Sequence, residues 1–285
     1  MRPPIDGATI LITGASSGIG REMARQLSGR AKALVLVARR RDRLTALRDE
    51  LNQQHPALRV VVKPCDLADR AATDTMLGEL TGQVGAIDVL INNAGFGDMA
   101  MFDLAKWERI ESMIRLNVDA LCYLTHRLVR PMVTRRRGGI LNVSSGFGLQ
   151  FMPAMAAYVG TKHFVTGFTE ALRLDVRHCG VVVTQVCPGP VATEFDENLG
   201  NFTGRKAPSF VEVTPQACAR TALRAFERGR ALVVPGLVMR LLLFMGAWTP
   251  RFVLRWMYGP VAKKARQLQE RNADLAPTDP ENILP

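Results

Sequence analysis

Tyr158 and Lys162 stand four residues apart in AAYVGTKHF, a spacing that puts both side chains on one face of a helix. A phenol ionises near ~10 and is a poor proton donor or acceptor at neutral pH. An ammonium beside it favours the phenolate and brings proton transfer within reach. The second chemical feature is TGASSGIG, with Gly14, Gly18 and Gly20 spaced as GxxxGxG. Glycines there permit a tight turn and let backbone approach a pyrophosphate, with the N–H groups of a following helix aimed at the anion. The pair and the loop together describe proton transfer beside a bound dinucleotide.

Both features need a frame. The run at residues 9–12 is short and apolar, it ends in the glycine turn, and REMARQL follows with helical character. Further buried-strand candidates are residues 33–37, 59–62, 89–92, 140–144 and 181–186, separated by helical stretches that include 106–129 and 157–177. Short β-branched runs alternating with longer amphipathic segments predict βαβ units and a parallel sheet covered on both faces. The expected fold is α/β, a doubly wound parallel sheet of Rossmann type with a C-terminal helical, apolar and basic extension. Residues 1–230 are expected to form one catalytic domain with a substrate loop at about 190–215, and residues 231–285 the extension and tail.

Three more motifs keep the first two company. NNAG (92–95) ends one strand, NVSSG (142–146) ends another thirteen residues before Tyr158, and PGPVAT (188–193) follows the strand at 181–186. In this order and at these intervals the set resembles the short-chain dehydrogenase/reductase family, in the branch with TGxxxGxG and YxxxK, over roughly residues 8–195. The resemblance implies that Tyr158 is general acid in reduction and general base in oxidation, and that Lys162 tunes it and holds the nicotinamide ribose. It implies that Ser145 bonds the substrate oxygen, while its neighbour Ser144 bonds the strand end. Asn117 would hold a water linking Lys162 to solvent. The loop residues Gly14, Ser16, Ser17, Gly18, Ile19 and Gly20 would cradle the cofactor. Asp66 and Leu67 would meet its adenine, although Asp66 could equally cap the following helix. Asn93, Ala94 and Gly95 would meet a ribose, with Asn92 bracing strands. Pro188, Gly189, Val191 and Thr193 would lie along its nicotinamide end.

The choice of dinucleotide turns on the end of the second strand. An acid about 20 residues past the glycines would bind a ribose 2′-hydroxyl, but here the strand ends in Ala38-Arg39-Arg40-Arg41. A guanidinium at that point suits a 2′-phosphate, so NADP (NADPH) is expected, bound through Arg39 with support from Arg40 and Ser16. The four histidines have no metal-ligand spacing, and no metal is expected.

Composition is globular, at 47% hydrophobic and 22% charged residues, with a net charge of +11. That charge asks for an anionic partner, yet no zinc-finger or helix-turn-helix pattern supports nucleic acid. Five scattered cysteines without CxxC spacing, and an N-terminus lacking a signal-peptide core, lead us to expect a cytoplasmic chain. Residues 231–271 carry seven basic residues against the single acid Glu270. Two readings of this segment stand side by side: helices that close the pocket or pack on another subunit, and peripheral contact with an anionic membrane. The resemblance implies a homodimer or homotetramer. The apolar tail points to a small hydrophobic carbonyl or alcohol substrate, such as a sterol, keto-lipid or acyl derivative. A non-catalytic dinucleotide-binding protein recruited to membranes is the alternative.

Overall fold

The computed structural model describes residues 2–195, 198–204 and 208–274; parts of the expected substrate loop (196–197 and 205–207) and the tail from 275 lie outside them. Among the described residues, seven strands form one parallel sheet: β1 (Thr9–Thr13), β2 (Ala33–Ala38), β3 (Arg59–Pro64), β4 (Val89–Asn92), β5 (Gly138–Val143), β6 (Val181–Val186) and β7 (Leu232–Val233). The central strands are buried along their whole length, as apolar runs too short for helices must be when both sheet faces are covered.

Alternation along each strand feeds two cores. Ile10 and Ile12 pack with Leu34, Leu36 and Phe226 on one face, against α1 (Gly18–Leu27), α2 (Arg41–Gln54) and α7 (Pro215–Glu227). Leu11, Val35 and Leu90 pack on the other face, against α3 (Arg70–Val84), α5 (Leu121–Thr134) and α6 (Ala156–Val176). The helix α4 (Trp107–Ile114) runs into α5 through a π-turn over Arg115–Ala120. Two helix starts are set by side chains: Asp69 accepts from Ala72 N at 3.1 Å, and Thr214 accepts from Ala217 N ahead of Pro215.

The strand order is β3-β2-β1-β4-β5-β6-β7. The chain therefore winds outward from β1 in one direction and from β4 in the other. Where β1 and β4 lie side by side, the connections leaving their carboxyl ends diverge and open a crevice, the general ligand position in such sheets.

One expected boundary moves. A division at 230/231 falls just before β7, whose Leu232 and Val233 pair with Gln185 and Val186, so these residues belong to the sheet and not to the extension. Pro235 and Gly236 break the apolar stretch that follows, and helix α8 (Leu237–Trp248) begins only after them. The long helix α9 (Arg251–Asp274) completes the described chain.

Close packing makes one glycine obligatory for bulk and not for conformation. A Cβ on Gly139 of β5 would lie 2.5 Å from Phe226 Cζ and 3.0 Å from Pro3. Gly139→Ala should cost about 1–3 kcal/mol through overpacking and lower Tm by several degrees. Trimming the opposing ring in Gly139→Ala/Phe226→Leu should recover part of that loss. Thermal unfolding of the two single variants and the double variant measures the coupling, and simple additivity would contradict the contact.

Candidate active site

A single threonine at the end of β1 organises the mouth of the crevice. Thr13 Oγ1 donates to Ile91 O at 3.3 Å and accepts from the N–H groups of Asn93 and Ala94, both at 2.9 Å. The amide of Asn93 reaches back, donating to Thr13 O at 2.9 Å and Gly14 O at 3.2 Å. The side chain of Asn93 is thus committed to bracing the glycine turn, and the backbone of Ala94 and Gly95 is what faces the crevice. Asn92 behaves as expected of a strand brace, donating to Thr125 and Asn142.

The glycines are where their lack of a side chain matters. Gly14 has φ +65°, and a Cβ there would lie 2.7 Å from Asn93 Nδ2 and 2.9 Å from Ala94 Cα. A Cβ on Gly20 would overlap Gly14 O and Asn93 Nδ2, so α1 could not pack against the turn. The first turn of α1 has no side-chain cap from Ser17, which leaves its N–H groups for an anion. Gly18 lies under the Thr193 methyl, and Ile19 packs into the core behind the loop. A turn packed too tightly against Asn93, Ala94 and Thr193 to admit any Cβ, followed by uncapped helix N–H groups, fits a dinucleotide pyrophosphate.

Deeper in, the catalytic candidates converge from three elements. Ser144 Oγ donates to Lys162 O at 3.1 Å and pairs with Thr166, a purely structural use. Ser145 Oγ, two residues past β5, accepts a long 3.2 Å bond from the N–H of Phe147, whose ring packs against Tyr158. Tyr158 is buried between the rings of Phe147 and Phe195, with centroids 6.3 and 5.8 Å away, and Lys162 Nζ lies 5.8 Å from its own ring centroid. Lys162 Nζ donates to Val143 O at 3.1 Å, and a Cβ on Gly95 would sit 3.4 Å from it. Asn117, buried in the π-turn, gives Nδ2 to Phe96 O at 2.9 Å and Thr161 Oγ1 at 3.2 Å and accepts from Phe96 N at 3.1 Å. Its amide therefore pins the chain after β4 to α6.

The other sequence-derived positions divide. Leu67 is buried in the core, and exposed Asp66 accepts from Ala68 N at 3.0 Å, a turn that leaves helix capping to Asp69. Pro188 O accepts from Gly146 N at 2.7 Å, Val191 bridges Val213, and Thr193 Oγ1 accepts from Phe195 N at 3.3 Å. Gly189 lies beneath Met239 of α8. At the end of β2 the chain turns so that Arg39 is exposed while Arg40 reaches the glycine loop. Arg40 Nη2 donates to Ser16 Oγ at 3.2 Å and Ser17 Oγ at 3.0 Å, and Arg40 Nη1 donates to Glu194 at 2.8 Å. Arg43 binds the same carboxylate. Sequence reasoning passed over Thr13, Arg43, Glu194 and Phe195. Of these only Arg43, three residues past Arg40 on a helix face, carries a local signal.

A family model described as short chain dehydrogenase matches residues 8–203. The chain belongs to that family. It is 32% identical over 276 residues to the frog protein "Dehydrogenase/reductase SDR family member 7B" of Xenopus tropicalis, covering 93% of this chain and 89% of the relative. Among solved structures it is similar to a short-chain dehydrogenase from Sphingobium yanoikuyae in complex with NADPH, with a TM-score of 0.75 and 32% identity over 84% of this chain and 93% of that one. It is also similar to the bulky-bulky ketone specific alcohol dehydrogenase from Comamonas testosteroni, with a TM-score of 0.71 and 25% identity over 85% and 95% of the two chains.

In this short-chain dehydrogenase the wall beyond Tyr158 is apolar. Met113, Met155 and Tyr158 form a small core of their own, with Phe96, Met99, Phe147, Phe195 and Leu199 packed around it. Helix α8 roofs the same space: Met239 and Leu243 lie over Gly146, and Met239 also covers Gly189. Helix α9 ties both rims together. Gln269 accepts from Met101 N at 2.8 Å, Arg266 pairs with Asp103, and Asn272 donates to Phe202 O at 2.9 Å.

Burial draws the Lys162 ammonium down from an ordinary lysine's 10.5 to about 8. The folded state therefore loses this proton near pH 8 while the unfolded chain holds it to about 10.4, so the lysine's penalty is full at pH 7 and fades as pH rises between those values. Replacing it in Lys162→Met removes that penalty and gives up one bond to a carbonyl, which contributes less than burying an ammonium costs. Tm at pH 7 should rise by a few degrees, and the advantage over the parent should shrink toward pH 10. A variant less stable than the parent at pH 7 would show that the lysine is not under strain.

Proposed function

We propose that this short-chain dehydrogenase interconverts a ketone and a secondary alcohol on a bulky hydrophobic substrate, using NADP(H). The observation that supports the chemistry is Tyr158 and Lys162 on one face of α6, with Nζ 5.8 Å from the phenol ring centroid, and the ring of Phe147, two residues past Ser145, packed on Tyr158. Bound along the crevice, the nicotinamide supplies or accepts the hydride. Ser145 Oγ, which accepts a single long bond from Phe147 N, gives its own proton to the substrate oxygen in this reading. Tyr158 exchanges a proton with that oxygen. Lys162, on the same helix face and next to the backbone of Gly95, favours the phenolate and holds the adjacent ribose. Phe147, Phe195 and the α8 side chains keep water from the reacting carbon. The methionine-rich wall, which adapts to irregular apolar shapes, supports a sterol, keto-lipid or acyl substrate.

The fold alone does not choose between dinucleotides. What supports NADP(H) is that Arg40 and Arg43 at the edge of the glycine loop already hold an anion, the Glu194 carboxylate, while Arg40 also donates to the Ser16 and Ser17 hydroxyls. Two guanidinium groups and two hydroxyls form a donor set matched to a phosphate dianion. The same reading has copies associate through the exposed face of α6, where Phe164 and Leu174 stand in solvent. It also has the protein work in a reducing compartment, consistent with five free thiols. A non-catalytic dinucleotide binder is the other reading, and turnover of a hydrophobic ketone with loss of NADPH fluorescence separates the two.

Tyr158→Phe should keep NADPH binding and lose about 10²–10⁴-fold in turnover, since the phenol supplies the proton and the ring is only a wall. Activity within a few-fold of the parent would remove Tyr158 from the reaction. Arg40→Asp should lower the NADPH-to-NADH ratio of kcat/KM by roughly tenfold to a hundredfold, the worth of one charge-assisted bond. Arg39→Asp should move it less, because Arg39 points to solvent. A ratio unmoved by either substitution would place the discrimination elsewhere.

A further inference from the structure

The outer surface of the last two helices is unlike the rest of the molecule. On α8, Leu241, Phe244, Met245 and Trp248 are exposed; on α9, Phe252 and Trp256 continue the surface beyond the Thr249–Pro250 break. Trp248 and Trp256 are 78% and 80% exposed. A contiguous apolar face of this extent exceeds what a chain leaves in water without a partner. Basic residues border it: Arg240, Arg251, Arg255, Lys263 and Lys264 are all exposed, and no Asp or Glu occurs between residues 231 and 269. Among the described residues no single helix is long and apolar enough to cross a membrane, and α8 and α9 meet at a 117° bend. Their geometry suits lying in an interface, with apolar side chains and indole rings among the acyl boundary and cations at the headgroups.

We propose that the α8–α9 face docks on an anionic lipid surface. The inner side of the same α8, through Met239 and Leu243, roofs the space above Gly146 and Gly189. The helix that roofs the site is then the one in contact with lipid, and an apolar substrate that enters past α8 reaches Tyr158 without crossing water. This last step rests on the hydrophobic-substrate reading; the docking does not. Basic charge on one rim and the missing acids favour lipid over a second copy of the chain, which would set Arg240, Arg251 and Arg255 near their own counterparts.

The test uses the full chain carrying Trp107→Phe, so that Trp248 and Trp256 are its remaining tryptophans. Vesicles of two parts phosphatidylcholine to one part phosphatidylserine should sediment it and shift its emission to the blue. Pure phosphatidylcholine should capture it several-fold less. High salt should reduce capture without abolishing it, since the screened attraction is lost and the apolar insertion remains. Phe244→Ser/Trp248→Ser/Trp256→Ser should lose salt-resistant binding while still reducing a small water-soluble ketone. Emission unchanged by anionic vesicles, with the chain in the supernatant, overturns the proposal. So does a lipid-free dimer already blue-shifted and broken by the triple substitution. Failure of the catalytic reading would instead appear as no ketone turnover in a chain that still binds vesicles.

A second inference rests on three consecutive residues. The Thr193 methyl lies over Gly18, the Glu194 carboxylate is held by Arg40 and Arg43, and the Phe195 ring packs on Tyr158. One strand of loop thus touches the pyrophosphate turn, the basic edge and the catalytic phenol. We infer that Glu194 is an internal competitor for the 2′-phosphate, and that phosphate binding releases the segment and uncovers Tyr158. This builds on the NADP(H) reading. In fluorescence titrations Glu194→Gln should bind NADPH several-fold more tightly and leave NADH affinity unchanged. Equal changes for both, or none for NADPH, would remove the competition. A parent protein that prefers NADH would instead remove the reading beneath it.

Discussion

The two halves of the sheet are joined at their working end by one hydroxyl. Thr13 Oγ1 receives two N–H groups from the chain leaving β4 and gives its proton to Ile91, so the turns after β1 and β4 cannot separate. Because the strand order reverses between these two strands, no backbone ladder continues past their ends to do that work. Asn93 completes the tie from the other side. Every later feature takes its position from this junction: the glycine cradle leans on Asn93, Gly95 sits against Lys162, and Asn117 holds Phe96 at the next residue.

A second tie, at the end of β5, explains how a lysine can be kept almost fully out of water. Lys162 is anchored through Val143 O at the end of β5, while Ser144 ties the backbone of its helix turn to the same strand end. The sheet end is rigid enough to hold an ammonium in place against its own tendency to lose its charge. Such stored cost is characteristic of sites that need a group in an unfavourable state. The aromatic packing around Tyr158 adds the second half of the arrangement, a dry wall on which a phenol and a cation can act on one another across a few ångströms.

Features carried within a single turn of chain were legible from the residues alone. The spacing of Gly14, Gly18 and Gly20 and the Tyr158–Lys162 step both encode geometry locally, and Asn92 and Ser144 brace strands as their positions at strand ends imply. What the sequence hid is what folding brings from afar. Glu194 meets Arg40 and Arg43 across 154 and 151 residues. Arg39 and Arg40 differ only in which way the chain turns after Ala38, a choice made by the start of α2. The short β7 announces itself by no periodicity, since two residues are too few to alternate, so its edge of the sheet read as part of the extension. Asn93 looked like a ligand contact because nothing local reveals that Thr13 and Gly14 lie within its reach.

The attachment of α9 to both rims has a consequence for descent. The glycine turn and the Tyr158–Lys162 pair lie before β7, whereas the roof and the clasp on Met101, Asp103 and Phe202 come from α8 and α9. Gly236, with φ +84°, is the point where one stretch hands over to the other. A lineage can thus exchange or remodel its final helices and acquire a different appetite while inheriting its hydride chemistry untouched. Substrate shape then answers to two lengths of gene, the wall before β7 and the roof after it, and only the second can vary without disturbing the packing around Tyr158.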